Sequence, residues 1–186
     1  MRRVFDICGS LILIIVFFPI IILITILLKI SSKGPVLFWA PRLGLNERSF
    51  EMPKFRTFKV GTPVLASNLI KDPESLYSPM GRFLRRFSID ELPQLYCILK
   101  GEMTFIGPRP CLGNQEDLIS LRREYDLFSI KPGVSGWAQV NGRDEISLEK
   151  KIELDLEYLQ KRSFFFDFKI IWMTIIKVLK SDNITH

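Results

Sequence analysis

The sequence predicts a mainly helical α+β protein attached to a membrane, on three observations. Leu11 to Leu28 is an uncharged run of 18 residues in which only Thr25 has a polar side chain, long enough for a membrane helix. Val36 to Trp39 and Phe50 to Phe58 are short, aromatic and β-branched, which suits strands. Phe164 to Lys180 sets an aromatic and aliphatic face against a lysine edge at helical spacing, which suits a helix lying in the headgroup region.

The N-terminal run is flanked by Arg2 and Arg3 on one side and by Lys29, Lys33 and Arg42 on the other. Basic flanks favour the cytoplasm, so both ends are expected there. No small-x-small cleavage site follows, so a cleaved leader is not expected. A straight helix from Arg3 to Lys29 would be roughly 40 Å long and could span. Pro19 lies mid-run, where it removes a backbone hydrogen bond and favours a kink. A helix broken there could enter and leave on one face. Both topologies stay open on these residues. The organisation expected is a membrane segment over 1–30 and a domain over 31–186 at the cytoplasmic face of the membrane, which includes the amphipathic helix at about 164–180.

The elements between follow from local signals. Pro41 to Ser49 contains a Gly and an Asn and can close a hairpin between the two strands. Gly61 to Ser78, punctuated by Pro63 and Pro73, reads as loop. Ser78-Pro79 resembles a cap followed by a first-turn proline and opens a basic helix to about Arg86. A further helix is expected from Ser88 to about Lys100, stopped by Gly101. Leu112 to Phe128 carries Leu118, Leu121, Tyr125 and Phe128 at helical spacing. Lys131 to Arg143 is Gly-rich and reads as a structured loop. Ser147 caps a helix with Leu148, Ile152, Leu156 and Leu159 on one face, on which Glu157 and Lys161 can pair.

Composition narrows the chemistry. Of 186 residues 47% are hydrophobic, and the net charge is +6, which suits an anionic partner. The one histidine is His186, so Ser-His-Asp, Cys-His and HExxH chemistry lacks an internal imidazole. Cys8, Cys97 and Cys111 are odd in number and far apart, which argues against a disulfide framework. The chain has neither GxxxxGK[ST] nor GxGxxG.

Acid–base or nucleophilic work therefore falls to carboxylates. Asp90-Glu91 is the best candidate, although Ser88-x-x-Glu91 also reads as a capping box. The surround is basic: Arg82, Arg85 and Arg86 precede the pair, and Arg109 follows it in Gly107-Pro108-Arg109-Pro110. Lys54, Arg56, Lys59, Lys131 and Arg143 add to it. A hard cation such as Mg2+ takes carboxylate oxygens, and arginine forks hold phosphate oxygens. An aspartate can also attack phosphorus to give an acyl phosphate.

The run Asp90-Glu91-Leu92-Pro93-Gln94-Leu95, then Leu99 to Met103, then Gly107-Pro108-Arg109-Pro110, resembles the bacterial sugar transferases, monotopic polyprenyl-phosphate phosphoglycosyl transferases. Lys54-Phe55-Arg56-Thr57 and the Lys131 to Arg143 segment match too, and the order and spacing agree from Arg3 to about Lys180. The length resembles the minimal form of the family. The resemblance implies transfer of a sugar 1-phosphate from a UDP-sugar to undecaprenyl phosphate with release of UMP, in glycoconjugate assembly. It implies Asp90 as nucleophile with Glu91 beside it, Mg2+ held by Asp90 and Glu91, and substrate contacts from Lys54, Arg56, Arg85, Pro108, Arg109, Pro110 and Arg143. It also implies a re-entrant membrane helix with the catalytic domain on the cytoplasmic face of the bacterial inner membrane. One departure stands out. Phe18 precedes Pro19 where the family's well-studied form has Ser, and Phe offers no hydroxyl to a backbone group freed at the break. The rival readings are a membrane-anchored scaffold whose acidic pair only caps a helix and, more weakly, a nucleic-acid binder. No nucleic-acid motif matches, and the charges are scattered.

Overall fold

The computed structural model describes residues 2–63, 72–142 and 146–180. Arg2–Ser31 forms one α-helix, α1, which runs through Pro19. Its length of about 45 Å exceeds the roughly 30 Å of a bilayer's hydrocarbon core. One stripe of α1 faces the rest of the chain along the whole helix. Asp6, Ser10, Ile24 and Leu28 are buried, and Leu13, Ile14 and Ile21 pack on the core. Steps of three, four and seven residues relate these positions, as one helical face requires. The opposite face exposes Ile12, Ile15, Val16, Phe18 and Leu23, of which Ile15 is 73% exposed.

Both ends of α1 are tied to the same body. Arg3 donates to the carbonyls of Ile98 and Leu99, Asp6 accepts from Thr104 Oγ1 at 2.9 Å, and Arg2 meets Asp167 at 3.0 Å. At the other end Ile24 and Leu28 pack with Phe55 and Leu84.

β1 (Leu37–Leu43) and β2 (Ser49–Phe55) form the expected antiparallel hairpin, with Leu37 opposite Phe55 and Leu43 opposite Ser49. The strands run closer to the turn than the aromatic pattern suggests, and Pro41 is accommodated in β1 opposite Glu51. After it come a single turn, α2 (Pro73–Leu76), started by the Asp72 side chain, and α3 (Gly81–Arg86). The predicted cap at Ser78 is not made, and α3 begins later. Ser78 instead bonds through its backbone N–H to Thr57 O, and Gly81 lies so close to that carbonyl that a Cβ would stand 1.8 Å from it.

A 3-10 turn over Ile89–Gln94 leads into α4 (Leu95–Lys100), which Gly101 ends at φ 88°. β3 (Thr104–Ile106) pairs in parallel with β4 (Gly133–Ser135). Between them α5 covers only Glu116–Glu124, shorter than the predicted Leu112 to Phe128. Gln115 Oε1 accepts from Leu112 N and holds a turn at its start, and Asp126 at φ 53° breaks it at its end. The predicted loop from Lys131 contains β4 and one helical turn, α6 (Trp137–Val140).

α7 (Leu148–Lys161) is capped by Ser147 as expected, and Glu157 pairs with Lys161 at 2.8 Å. Its buried face is rotated from the apolar one, however, and carries Ile152, Leu154, Asp155 and Tyr158. α8 (Phe164–Lys180) buries Ile170 and exposes Phe164, Phe165, Phe168, Trp172, Ile175 and Leu179. Phe5 of α1 meets the rings of Phe164 and Phe168, so the exposed apolar surfaces of α1 and α8 join. The protein is thus a mostly helical α+β structure with a long apolar N-terminal helix fit to anchor it in a membrane.

Candidate active site

The hairpin presents two cations on one face. Opposed residues of an antiparallel pair share a side of the sheet, and alternate residues return to it. Phe38, Ala40 and Arg42 therefore lie on the same face as Lys54, Met52 and Phe50. Ala40, Met52 and Phe50 are buried, which fixes Lys54 towards one end of that face and Arg42 towards the other.

The 3-10 turn carrying Asp90 and Glu91 packs on β2. Pro93 inside the turn has no N–H to give an α-helical ladder. Ser88 enters it in the left-handed region at φ 53° and makes no side-chain cap bond. The capping-box reading of the acidic pair therefore loses its partner. Glu91 instead turns to cations: its Oε1 accepts from Lys54 Nζ at 2.7 Å and from Arg109 Nη2 at 3.2 Å. Lys54 Nζ also lies 3.9 Å from Asp90 Oδ2. Both carboxylates are buried, Asp90 at 5% exposure and Glu91 at 8%.

Arg109 arrives on the Gly107-Pro108-Arg109-Pro110 turn, in which Pro108 and Pro110 are buried. Close backbone packing sets that turn. A Cβ on Gly133 would lie 2.1 Å from Gly107 N, and one on Gly136 2.2 Å from Gly107 O, so only glycine permits the approach. Gly133 N donates to Pro108 O at 2.9 Å. From beneath, Arg122 Nη1 donates to Arg109 O at 2.8 Å, while Arg122 Nη2 pairs with Asp155 at 3.0 Å inside the protein. Tyr158 donates towards Ile106 O, just before the turn, and Asp167.

Burial shifts the titration of the site's cations. It lowers the pKa of the Lys54 ammonium, a shift opposed by Glu91 and aided by Arg109. It lowers Arg42 to about 10, with Arg109 pushing the same way and Cys111 and Glu91 opposing. Burial pushes the Asp155 carboxyl up against the pull of Arg122.

Of the residues singled out from the sequence, Asp90, Glu91, Lys54 and Arg109 come together, with Pro108 and Pro110 framing the last. Arg56 is placed at the C-terminal end of α1, where it donates to Lys33 O at 2.7 Å and Ser32 Oγ at 2.7 Å. Arg85 lies over the rings of Phe58 and Tyr77, 4.7 and 5.8 Å from their centroids. Arg143 lies outside the described residues. Sequence reasoning missed Arg42 and the Arg122–Asp155 pair. The alternation along the hairpin, with 42 and 54 on faces of equal parity, was the signal for Arg42.

Two neighbouring carboxylates suit a hard cation that completes its shell with phosphate oxygens and water, as Mg2+ does. Among the described residues no cluster of three or more His, Cys, Asp or Glu side chains is placed to hold a metal. An ion here would depend on the substrate for its remaining ligands.

A family model described as bacterial sugar transferase matches residues 1–181. An uncharacterized sugar transferase, EpsL, of Bacillus subtilis is 39% identical over 99% of this chain and 90% of its own length. A UDP-glucose:undecaprenyl-phosphate glucose-1-phosphate transferase of Escherichia coli is 37% identical over 95% of this chain and 40% of its own. A UDP-N-acetylgalactosamine-undecaprenyl-phosphate N-acetylgalactosaminephosphotransferase of Aeromonas hydrophila is 33% identical over 96% and 43%. The chain thus spans about two-fifths of the length of these last two relatives.

Proposed function

Because the chain belongs to the bacterial sugar transferase family, we propose that it transfers a sugar 1-phosphate from a UDP-sugar to undecaprenyl phosphate at a bacterial inner membrane. The observation that carries this reading is the buried Asp90–Glu91 pair facing Lys54 and Arg109. Relatives named for glucose and N-acetylgalactosamine transfer support the substrate class.

In the reaction proposed, an Asp90 oxygen attacks the phosphorus that bears the sugar. The bond from that phosphorus to the bridging oxygen breaks, and UMP leaves with the electron pair. An oxygen of undecaprenyl phosphate then attacks the same phosphorus, the Asp90 carboxylate departs, and undecaprenyl-diphosphate-sugar is the product. The first leaving group is a phosphate monoester whose second pKa is about 6 and the second is a carboxylate, so neither step needs a general acid at neutral pH. That agrees with a chain whose one histidine is its last residue. Lys54 and Arg109 fix Glu91 and add positive charge where two phosphates must approach a carboxylate. Asp90 and Glu91 would hold Mg2+, which when bound neutralises phosphate charge.

The surface of the protein supports a monotopic attachment, and the basic flanks at Arg2, Arg3, Lys29 and Lys33 favour the cytoplasmic face for the catalytic domain. Both ends of α1 bind the domain that carries Asp90, and the exposed faces of α1 and α8 are apolar. The test of the reaction is incubation with UDP-glucose or UDP-N-acetylgalactosamine and Mg2+ in the absence of lipid acceptor. UMP should appear in a single burst, and mass spectrometry should find one phosphate of the transferred sugar on the peptide containing Asp90. Asp90→Asn should abolish both. An active Asp90→Asn variant would remove the covalent step.

A further inference from the structure

Arg42 is the cation of this site that the hydrogen bonds described above leave unused. Its side chain shares a sheet face with Lys54, and the charges acting on it include those of Arg109 and Glu91. Its Nε is buried without a hydrogen-bond partner. Among the described residues no hydrogen bond from its guanidinium is found. Arg56 and Arg122 also leave Nε without a partner, yet each binds oxygen through its Nη atoms.

Arg42 is half-buried, and its buried Nε is a charged-group donor whose hydration is lost with no acceptor to replace it, which is costly. Such a group persists where an acceptor arrives with a ligand. The local charge points to the kind of acceptor. Among the described residues, Arg42, Lys54 and Arg109 set three cations beside the two carboxylates Asp90 and Glu91, a surround that favours an anionic ligand. A guanidinium fork matches phosphate oxygens in two directions at once.

We propose that Arg42 binds a phosphate oxyanion of the substrate, as a third cation of the site alongside Lys54 and Arg109. The inference rests on the reading of the site as a phosphoglycosyl transferase centre. The oxyanion can belong to the diphosphate of the sugar nucleotide or to the monophosphate of the lipid, and the kinetics separate these. Arg42 would be a binding residue that touches substrate, and the carboxylates would keep the covalent step.

The experiment measures kcat/KM for the UDP-sugar and for undecaprenyl phosphate separately, in the full-length protein and in Arg42→Lys and Arg42→Gln. Arg48→Gln, at the exposed tip of the same hairpin, controls for loss of one positive charge. Thermal unfolding in the same detergent reports the fold. Losing hydrogen bonds to a charged group should lower the affected kcat/KM about 10- to 100-fold in Arg42→Gln. Arg42→Lys, which keeps the charge without the fork, should fall less. A drop confined to the UDP-sugar assigns the donor diphosphate, a drop confined to the lipid assigns the acceptor phosphate, and an equal drop assigns the phosphoryl group common to both steps. If both constants in Arg42→Gln match those of Arg48→Gln and of the unmodified protein, Arg42 binds no phosphate. Activity loss that tracks a lowered unfolding temperature in both Arg42 variants makes the residue structural and also overturns the proposal. An unmodified protein inactive with every UDP-sugar would instead overturn the reading of the site itself.

Discussion

Arg122 Nη2 lies 3.0 Å from Asp155 Oδ2, with both side chains nearly free of solvent. The same guanidinium donates to the carbonyl of Arg109, which carries the cation facing Glu91. A buried ion pair thus stands beneath the active-site turn, and its removal has two separable consequences.

Truncating one partner leaves a buried charge without its counterion. Arg122→Met should destabilise by about 3–5 kcal/mol, read by denaturant unfolding in detergent. Arg122→Met with Asp155→Leu replaces both charges by apolar groups and should recover most of that loss. It should not recover turnover, because the Arg109 carbonyl still lacks its donor. Full activity in the double variant would show that the pair serves stability alone.

This pair also explains why the face of α7 was misread. Apolar periodicity places Leu148, Ile152, Leu156 and Leu159 inward, whereas the burial centre is shifted towards Asp155 and Tyr158. A charged residue satisfied by a partner 33 positions away has no signature in a hydrophobic pattern. The hairpin, α4 with its glycine stop, the Ser147 cap and α8 were legible because each depends on local chemistry. So was the placing of Arg109 beside the acidic pair. What the sequence could not separate was the role of each cation. Lys54 and Arg56 stand two apart on one strand segment, yet Lys54 meets Glu91 while Arg56 closes the end of α1.

The carboxyl of Asp167 is pushed above the ordinary range, chiefly by burial, while Tyr158 and Arg2 pull it down. Between the ordinary carboxylate value of about 4 and the raised one, the folded protein binds more protons at this site than the unfolded chain. Its contribution to stability is therefore complete at low pH and declines as pH rises through that window. Asp167→Asn keeps a polar partner for Tyr158 and removes the titration. The stability of the unmodified protein minus that of the variant should fall with rising pH over the window. A difference that rises instead would mean that the contact with Arg2 dominates.

Metal removal tests the two-carboxylate site. With no third acidic ligand grouped there among the described residues, affinity should depend on substrate phosphates, so the ion should be easily stripped from the free protein. Excess EDTA is expected to stop UMP release and added Mg2+ to restore it. Glu91→Gln should raise the Mg2+ concentration required, and it should also lower the unfolding temperature, because Lys54 and Arg109 lose a charged acceptor. Undiminished turnover after exhaustive chelation would leave charge neutralisation to Lys54, Arg109 and Arg42.

The disposition of α1 gives the last prediction. A helix crossing the bilayer upright would carry Arg2 and Leu28 to opposite sides. Yet Arg2 is paired with Asp167, and Leu28 is fully buried against the core that holds Phe55 and Leu84. Both ends should therefore lie on one side of the membrane, which the basic flanks make the cytoplasmic side, with the outward face of the helix between Leu11 and Leu23 meeting the bilayer. In a background without native cysteines, Val4→Cys and Lys33→Cys should both react with an impermeant maleimide in inverted vesicles and neither in intact spheroplasts. Pro19→Ala restores the missing backbone hydrogen bond and should increase the fraction labelled at position 4 from outside. Labelling of position 4 from the periplasm alone in the unmodified sequence would overturn the same-side arrangement, since the Arg2–Asp167 contact could not then exist in the membrane.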